Sequence, residues 1–375
     1  MIDSQSLMRA AVFKEVGKPM EVMEIPVPEP KTGEVLVKVA ACGVCHSDLH
    51  VLLGEIPFPA PAVLGHEISG TVVKVGEGVR RLKAGDRVVG TFIIPCGHCP
   101  ACQAGRDDLC ENFFTFNRHK GLYYDGSTRL YMNDGTPLAM YSMGGLAEYA
   151  VLPETAVYVL PETLPLEISA ILGCAVMTSY GAVTHAGQVR RGDRVAVVAV
   201  GGVGQNVVSW AKAYGAHQII AIDVEPVKLE LALKLGATDV IHSTPERDIR
   251  KDVLALTDGK GVDIAFEALG RPSTVQTALA TLRQGGRLVA IGLAPGQATA
   301  DVPITRLVRE SLTLVGSYGA RVRQDLPRML DLTEQGAIHL EEVVTHVYDL
   351  NSVNEAYEDL NSRKISGRAI VRMGE

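Results

Sequence analysis

From about residue 178 the chain takes up a rhythm that few folds accommodate. Arg194–Val200 (RVAVVAV) is a continuous apolar run, as expected of a strand covered on both faces. Gly202–Tyr214 follows as a helix, Gln218–Asp223 (QIIAID) as the next strand, and Glu225–Leu235 as the next helix. Asp239–His242 is a short strand; Val262–Leu269, Gly286–Leu293 and Leu312–Ser317 complete six. Thr274–Leu282 is a helix between the fourth and fifth. Repeated β-α units predict an α/β fold with a doubly wound parallel six-stranded sheet.

The turn after the first strand is Ala199-Val200-Gly201-Gly202-Val203-Gly204. Small residues at 199, 201 and 204 fit the G-x-G-x-x-G dinucleotide pattern, with Ala in the first place. The pattern supplies a tight turn, a bare backbone against a pyrophosphate and a close helix–strand contact. The phosphates would sit among the free N–H groups of the helix N-terminus. Such a turn alone is a weak signal. Asp223 strengthens it, 19 positions after Gly204 at the end of the second strand, where a carboxylate can bond ribose hydroxyls. A carboxylate there repels a 2′-phosphate, which favours NAD over NADP. Lys228 could help hold the ribose, or simply be a solvated helix lysine.

Residues 10–150 read differently. Val35–Ala41 (VLVKVAA), Gly70–Val75 (GTVVKV) and the turn and strand of Lys83–Val89 are separated by Gly, Pro and Asp. This is the punctuation of an antiparallel sheet or partial barrel. The tail beyond about residue 320 breaks the β-α alternation and is expected to return to this first region.

Seven cysteines are distributed unevenly. Cys96, Cys99, Cys102 and Cys110 have the spacing C-x2-C-x2-C-x7-C. Four thiolates so close together predict a closed tetrahedral zinc site whose role is to fix a loop. The last spacing does not fit the ferredoxin iron–sulfur run. His98 inside the cluster reads as a solvent-facing loop residue. A second set is looser: Cys45 after Gly43, His66 21 positions later, and Cys174 before the nucleotide-binding half. Two cysteines and a histidine with water in the fourth place would make an open, catalytic zinc site. Cys42-x-x-Cys45 could instead be a redox pair, although no thioredoxin-like βαβ unit surrounds it.

Composition closes off other classes. Lys+Arg of 36 against Asp+Glu of 43 give a net charge of −7, so no overall electrostatic case for nucleic acid exists. The N-terminal MIDSQSLMRAAVFKEVG lacks the basic and apolar regions of a secretory signal. Val195–Val203 is read as the most apolar stretch, too short to span a bilayer. A cytoplasmic protein with reduced thiols and no membrane partner is expected.

Together these segments resemble the zinc-dependent medium-chain alcohol dehydrogenases over essentially the full chain. The matching pieces are Gly43–Asp48 (GVCHSD), Gly65-His66-Glu67, the Cys96–Cys110 cluster, Leu172–Val183 (LGCAVMTSYGAV), Gly201–Gly204 with Asp223, and Phe266–Gly270 (FEALG), in the family's order and spacing. The resemblance implies a GroES-like β-rich catalytic domain from residues 1–177 and 320–375, and a Rossmann NAD-binding domain from 178–319. It implies two zinc ions per chain. Cys45, His66 and Cys174 would hold the catalytic one, which lowers the pKa of a bound alcohol. Cys96, Cys99, Cys102 and Cys110 would hold the structural one. Ser47 would take the alcohol proton and His50 would pass it to solvent. Asp48 would orient the His ligand, and Glu67 would lie behind the zinc. His46 stands where many relatives have a pyrophosphate-binding Arg. Gly201, Gly202, Val203, Gly204, Asp223, Lys228, Thr178, Ala268, Ile291 and Leu293 are the expected NAD contacts.

The chain departs from the pattern in three places. Ala199 replaces the first Gly, a change expected to be tolerated. The strand Ala369-Ile370-Val371 lacks the Arg that some relatives place on the pyrophosphate, although Arg368 and Arg372 flank it. The long segment Asn112–Met143, with Phe113, Phe114, Phe116, Tyr123 and Tyr124, suggests a homodimer, with a homotetramer as the alternative, and could wall a substrate pocket. The expected reaction is reversible hydride transfer between a primary or secondary alcohol and NAD, giving an aldehyde or ketone. A glutathione-dependent formaldehyde dehydrogenase or specialised aldehyde reductase is the alternative on this scaffold. A polyol dehydrogenase, or a zinc-stabilised binding protein without catalysis, fits less well.

Overall fold

The strands from Arg194 onward close into one parallel sheet. Its order is Asp239–His242, Gln218–Asp223, Arg194–Val198, Val262–Glu267, Leu282–Ala290, Thr313–Gly316. The order reverses between the Arg194–Val198 and Val262–Glu267 strands, the switch point at which doubly wound sheets bind ligands. This is a computed structural model, and it describes residues 6–294, 296 and 298–374. The described residues form two units: one of the residues up to Cys174 with 321–334 and 344–374, the other of 175–320 and 335–343.

In the second unit the sheet is covered because its strands carry apolar side chains on both faces. Ala196, Val198, Ile220, Ile222, Ile241, Ala265 and Leu288 form one core with Ile249, Val253, Ala278 and Leu279 of the covering helices. Each fully buried Ile, Leu or Val contributes about 1.5–3 kcal/mol. The fifth strand begins at Leu282 rather than Gly286, directly after the Pro272–Thr281 helix. Two helices between the strands of this sheet escaped the sequence reading. Ile249–Leu256 is capped by Asp248, whose carboxylate accepts the Lys251 N–H at 3.0 Å, and it buries only Ile249 and Val253. Ile304–Arg309 is only six residues long and has no fully buried side chain, so its apolar positions are too few to show a period.

In the first unit the Glu34–Val44 strand is the hub. It pairs antiparallel with Ile68–Val75, with Tyr149–Pro153 and with the tail strand Arg368–Arg372. Arg87–Gly90 and Val157–Val159 extend the sheet on one side, and Val344–Asp349 on the other. A second sheet orders Glu21–Pro26, Leu7–Phe13, Ala62–Val63, Pro137–Met140 and Leu130–Tyr131.

A longer apolar segment than Val195–Val203 precedes it. Ile168–Gly187 runs through 20 residues of successive helical turns with mean hydropathy 1.3, long and apolar enough by length and composition to cross a membrane. The protein itself covers 78% of its most apolar window, as expected of a core segment. Ser179 and Thr184 bond back to carbonyls within this run and Ser169 to the Pro165 carbonyl just before it, so these hydroxyls are satisfied locally.

Candidate metal centres and dinucleotide turn

Cys96, Cys99, Cys102 and Cys110 converge, their sulfurs all within 4.8 Å of one another. A tetrahedron with Zn–S bonds of about 2.3 Å has edges of about 3.8 Å, and Cys99 Sγ lies 4.0 Å from Cys110 Sγ. Backbone N–H groups point at the sulfurs: Cys99 N to Cys96 Sγ at 3.3 Å, Cys102 N to Cys99 Sγ at 3.5 Å, and Cys96 N to Cys110 Sγ at 3.3 Å. Burial opposes a thiolate at Cys99, but the N–H groups of Cys102 and Glu111 outweigh it and bring its pKa down to about 7. Burial and neighbouring thiols push Cys102 and Cys110 up, the latter to about 11. Four sulfurs cannot all be anionic at this range without a cation, and a divalent one fits the donor set. The loop is clamped by the tail. Arg323 pairs with the fully buried Asp107 at 2.7 Å and also bonds the Cys102 carbonyl. His98 is exposed, its Nδ1 on the Cys96 carbonyl and its Nε2 against Asn112, as expected of a loop residue.

Cys45, His66, Glu67 and Cys174 form the second group, all buried, with ligand atoms within 4.8 Å of one another. Cys45 caps the short helix His46–Leu52, which carries Ser47, Asp48 and His50. Asp48 is fully buried, and its Oδ1 accepts the Gly65 N–H at 3.0 Å and meets His66 Nδ1 at 3.1 Å. An acceptor-only carboxylate fixes the proton on Nδ1 and leaves Nε2 as the donor atom for a metal. Gly65 is required: its φ is +90°, and an added Cβ would lie 2.6 Å from the Leu146 backbone nitrogen. Burial disfavours the His66 imidazolium, yet the Asp48 and Cys45 charges outweigh it and hold its pKa at about 9. Hydrogen bonding to Cys174 is the largest influence that brings Cys45 well below a normal thiol. Glu67 Oε1 is bonded by Arg368, and both residues are buried. That pairing holds one carboxylate oxygen and neutralises the Glu67 charge, beside the two sulfurs and one imidazole nitrogen of Cys45, Cys174 and His66. Both arginines that flank Ala369-Ile370-Val371 are thus paired with carboxylates, Arg368 with Glu67 and Arg372 with Glu167 at 2.7 Å.

Ser47 Oγ lies 3.8 Å from Cys45 Sγ. His50 is three positions further on the same helix, and its Nδ1 bonds the Glu55 carboxylate, a partner the sequence reading did not identify. His46 is exposed, its ring 6.4 Å from that of His50. Aromatic rings surround His66: Phe92 at 6.0 Å and Tyr141 at 5.5 Å, with Phe58 at 4.9 Å from Tyr141. Of the aromatic residues named from the 112–143 segment, Phe113 packs behind Phe92 at 6.4 Å. Tyr123 is core, its hydroxyl on the Val151 carbonyl, and the Tyr124 hydroxyl bonds the Ile94 carbonyl.

In the other unit, Gly201–Gly204 lies beyond the Arg194–Val198 strand. An added Cβ at Gly201 would meet nothing within 4 Å, whereas at Gly204 it would strike the Ala199 carbonyl oxygen at 2.2 Å. The helix therefore approaches the strand as the fingerprint requires. Ala199 has a φ of +70°, a left-handed conformation that glycine adopts without strain. The substitution is accommodated at a conformational cost rather than neutrally. Asp223 Oδ2 accepts the Val200 N–H at 2.8 Å and Oδ1 the Glu225 N–H at 3.0 Å, so the carboxylate also braces the turn. Ala199, Ala268 and Ile291 continue the sheet's hydrogen bonds at the ends of neighbouring strands. These residues, with Asp223, thus share the carboxyl edge of the sheet. Leu293 is 39% exposed beyond it. Lys228 and Thr178 are half-buried on the helices Pro226–Leu235 and Ala175–Gly181.

Residues 31–162 match the Alcohol dehydrogenase GroES-like domain, and residues 202–335 match the Zinc-binding dehydrogenase domain. A Mycobacterium tuberculosis chain provisionally named alcohol dehydrogenase D is 40% identical over 361 residues, 95% of this chain and 97% of its own. The S-(hydroxymethyl)glutathione dehydrogenase of Escherichia coli is 39% identical over 97% of this chain and 99% of its own. The crystal structure of benzyl alcohol dehydrogenase from Acinetobacter calcoaceticus superimposes with a TM-score of 0.92, 30% identity, and 98% and 100% of the two chains covered.

The chain belongs to the zinc-dependent alcohol dehydrogenases.

This alcohol dehydrogenase is an oxidoreductase whose cofactors are zinc and a nicotinamide dinucleotide, and whose substrates are small alcohols and carbonyl compounds. Both clusters fit zinc by donor chemistry: four thiols in one, two thiols and an imidazole in the other.

Proposed function

We propose that the enzyme interconverts alcohols and carbonyl compounds with NAD at the Cys45–His66–Cys174 centre, and that Cys96, Cys99, Cys102 and Cys110 hold a structural zinc. One observation supports this above others: three donors from distant parts of the chain converge while Arg368 neutralises the neighbouring carboxylate through one of its oxygens. That leaves a fourth position for substrate. Zinc at such a position supplies Lewis acidity toward the alcohol oxygen, and the nicotinamide accepts the hydride.

The protein's own groups carry the rest. Asp48 keeps the Nδ1 proton of His66 in place and so presents Nε2. Ser47 accepts the alcohol proton, and His50 carries it toward solvent with Glu55 behind it. Phe92, Tyr141 and Phe58 exclude water on one side of His66 and favour an uncharged, apolar or aromatic alcohol. The Acinetobacter relative is named for such a substrate. A glutathione adduct is the second reading, because a full-length relative is named for it and because the Arg118 guanidinium lies 4.5 Å over Tyr141, where a carboxylate could bind. Asp223 supports NAD over NADP.

A homodimer is the proposed assembly. The Thr313–Gly316 strand lies at the sheet edge with Leu314 38% exposed, and Ile304 and Val308 of the preceding helix are 74% and 70% exposed. Strand pairing with a second copy would cover them. All seven cysteines are free thiols, which supports a reducing compartment such as the cytoplasm. The test is NADH formation by zinc-loaded protein across short, benzylic and long-chain alcohols and S-(hydroxymethyl)glutathione. Benzylic turnover with NAD is expected. Turnover of the glutathione adduct alone would select the second reading, and no turnover of any would sink both.

A further inference from the structure

Beneath the Cys45–His66–Cys174 centre lies a buried hydroxyl that the proposed chemistry leaves unused. Tyr357 sits on the helix Val353–Asn361, which packs against the His46–Leu52 helix and the Glu34–Val44 strand. Its ring is 3% exposed, and its hydroxyl has no partner of regular hydrogen-bond geometry. Asp48 shows the complementary deficit. Its Oδ1 serves Gly65 and His66, while the buried Oδ2 has no partner. A buried donor and a buried acceptor are each costly to leave unpaired, so two of them near one another call for a connection.

They are near one another, because the Tyr357 helix packs directly against the helix that carries Asp48. Burial is the first cause that pushes the Tyr357 hydroxyl well above its usual pKa, and the Asp48 charge is the second, ahead of Cys42 and Cys45; Asp48 also acts through hydrogen bonding. A phenol so placed stays protonated and can only donate to a carboxylate.

We propose that Tyr357 is a positioning residue of the zinc centre, donating to Asp48 Oδ2 directly or through one buried water, so that the carboxylate is held at both oxygens against His66. The proposal rests on the reading of Cys45, His66 and Cys174 as zinc ligands. A carboxylate fixed by Gly65 alone could rotate about its Cβ–Cγ bond and release the imidazole. Tied at both oxygens, it keeps Nε2 aimed at the metal. Outer partners of metal ligands are worth about 10–100-fold in affinity when they touch the ligand. One bond further out, a loss of about 3–10-fold is expected.

The test is chelator competition for zinc on the whole enzyme, with the thermal midpoint recorded alongside, in wild type, Tyr357→Phe, Asp48→Asn and the double variant. Phenylalanine keeps the ring and removes only an oxygen, so the fold is expected to survive. Tyr357→Phe should release one of the two zinc ions about 3–10-fold more readily, and the other unchanged. In the Asp48→Asn background the same substitution should add little, because the group it acts through has changed. Wild-type zinc retention at both sites in Tyr357→Phe, with an unchanged or higher thermal midpoint, overturns the proposal and shows an idle hydroxyl. Equal loosening of both zincs, or an effect that persists in full without Asp48, overturns it as general destabilisation. Wild-type protein that binds a single zinc would remove the metal centre itself, and the proposal with it.

Discussion

Replacing Arg368 with methionine strips the counter-charge from a fully buried carboxylate. Glu67 is fully buried and Arg368 is 4% exposed. Arg368 bonds Glu67 Oε1, and Oε2 has no partner. Breaking a buried pair from one side costs about 3–5 kcal/mol, because a charge stays behind without solvent. At about 2–4 °C per kcal/mol for a unit of this size, the thermal midpoint should fall by on the order of 10 °C. The stranded carboxylate can take a proton, or it can turn to the group of ligand atoms that it already approaches within 4.8 Å. In the second case it would fill the open metal position and lower turnover beyond what instability explains. A Glu67→Gln, Arg368→Met double variant removes the charge and should recover most of the stability. Calorimetry at one scan rate, with zinc content measured on the same samples, reads both effects. A fall of no more than about 2 °C, or no recovery in the double variant, refutes the buried pair as described.

Other consequences follow from single residues. Ala199→Gly should raise the thermal midpoint slightly: it relieves about 1–2 kcal/mol of left-handed strain at φ +70° against about 0.5–1 kcal/mol of added chain entropy. A lower midpoint would contradict that strain. Cys99→Ser should lower both zinc content and thermal midpoint, because a closed site contributes directly to folding; retained stability on calorimetry would argue against a structural metal there. Asp223→Gly should weaken NAD relative to NADP in cofactor titrations, and should also reduce stability, since the carboxylate holds the Val200 and Glu225 N–H groups. An unchanged cofactor preference would remove Asp223 from the ribose site.

The parts legible in the sequence were those encoded locally. The sheet of the second unit was readable because each strand is a short apolar run and each turn carries its own Gly or Asp. The four-cysteine cluster was readable because all its ligands lie on one loop. Arg368 and Glu67 are separated by 301 positions, and no spacing rule connects them. Tyr357 likewise meets the metal region only because the tail strand Arg368–Arg372 pairs with Glu34–Val44. The positive φ of Ala199 could not be read from its small side chain, because the pattern tolerates Ala and only the backbone shows its conformation. The Ile304–Arg309 helix spans six residues, so its three apolar positions are too short a run for hydrophobic periodicity to separate from a loop. Glu55 was within reach, five positions past His50 at the end of a short helix, and its carboxylate beside a histidine was the signal.

The account stands on an open metal site made by Cys45, His66 and Cys174, distinct from the closed one. Stepwise removal of zinc by a chelator, with zinc per chain and the rate of NADH formation followed together, tests it most directly. Two zinc ions per chain are expected, and a rate that falls in proportion to the loss of one of them while the protein stays folded. A rate that survives the removal of both ions, or a chain that holds zinc only at the four cysteines and still turns over alcohol, would contradict it.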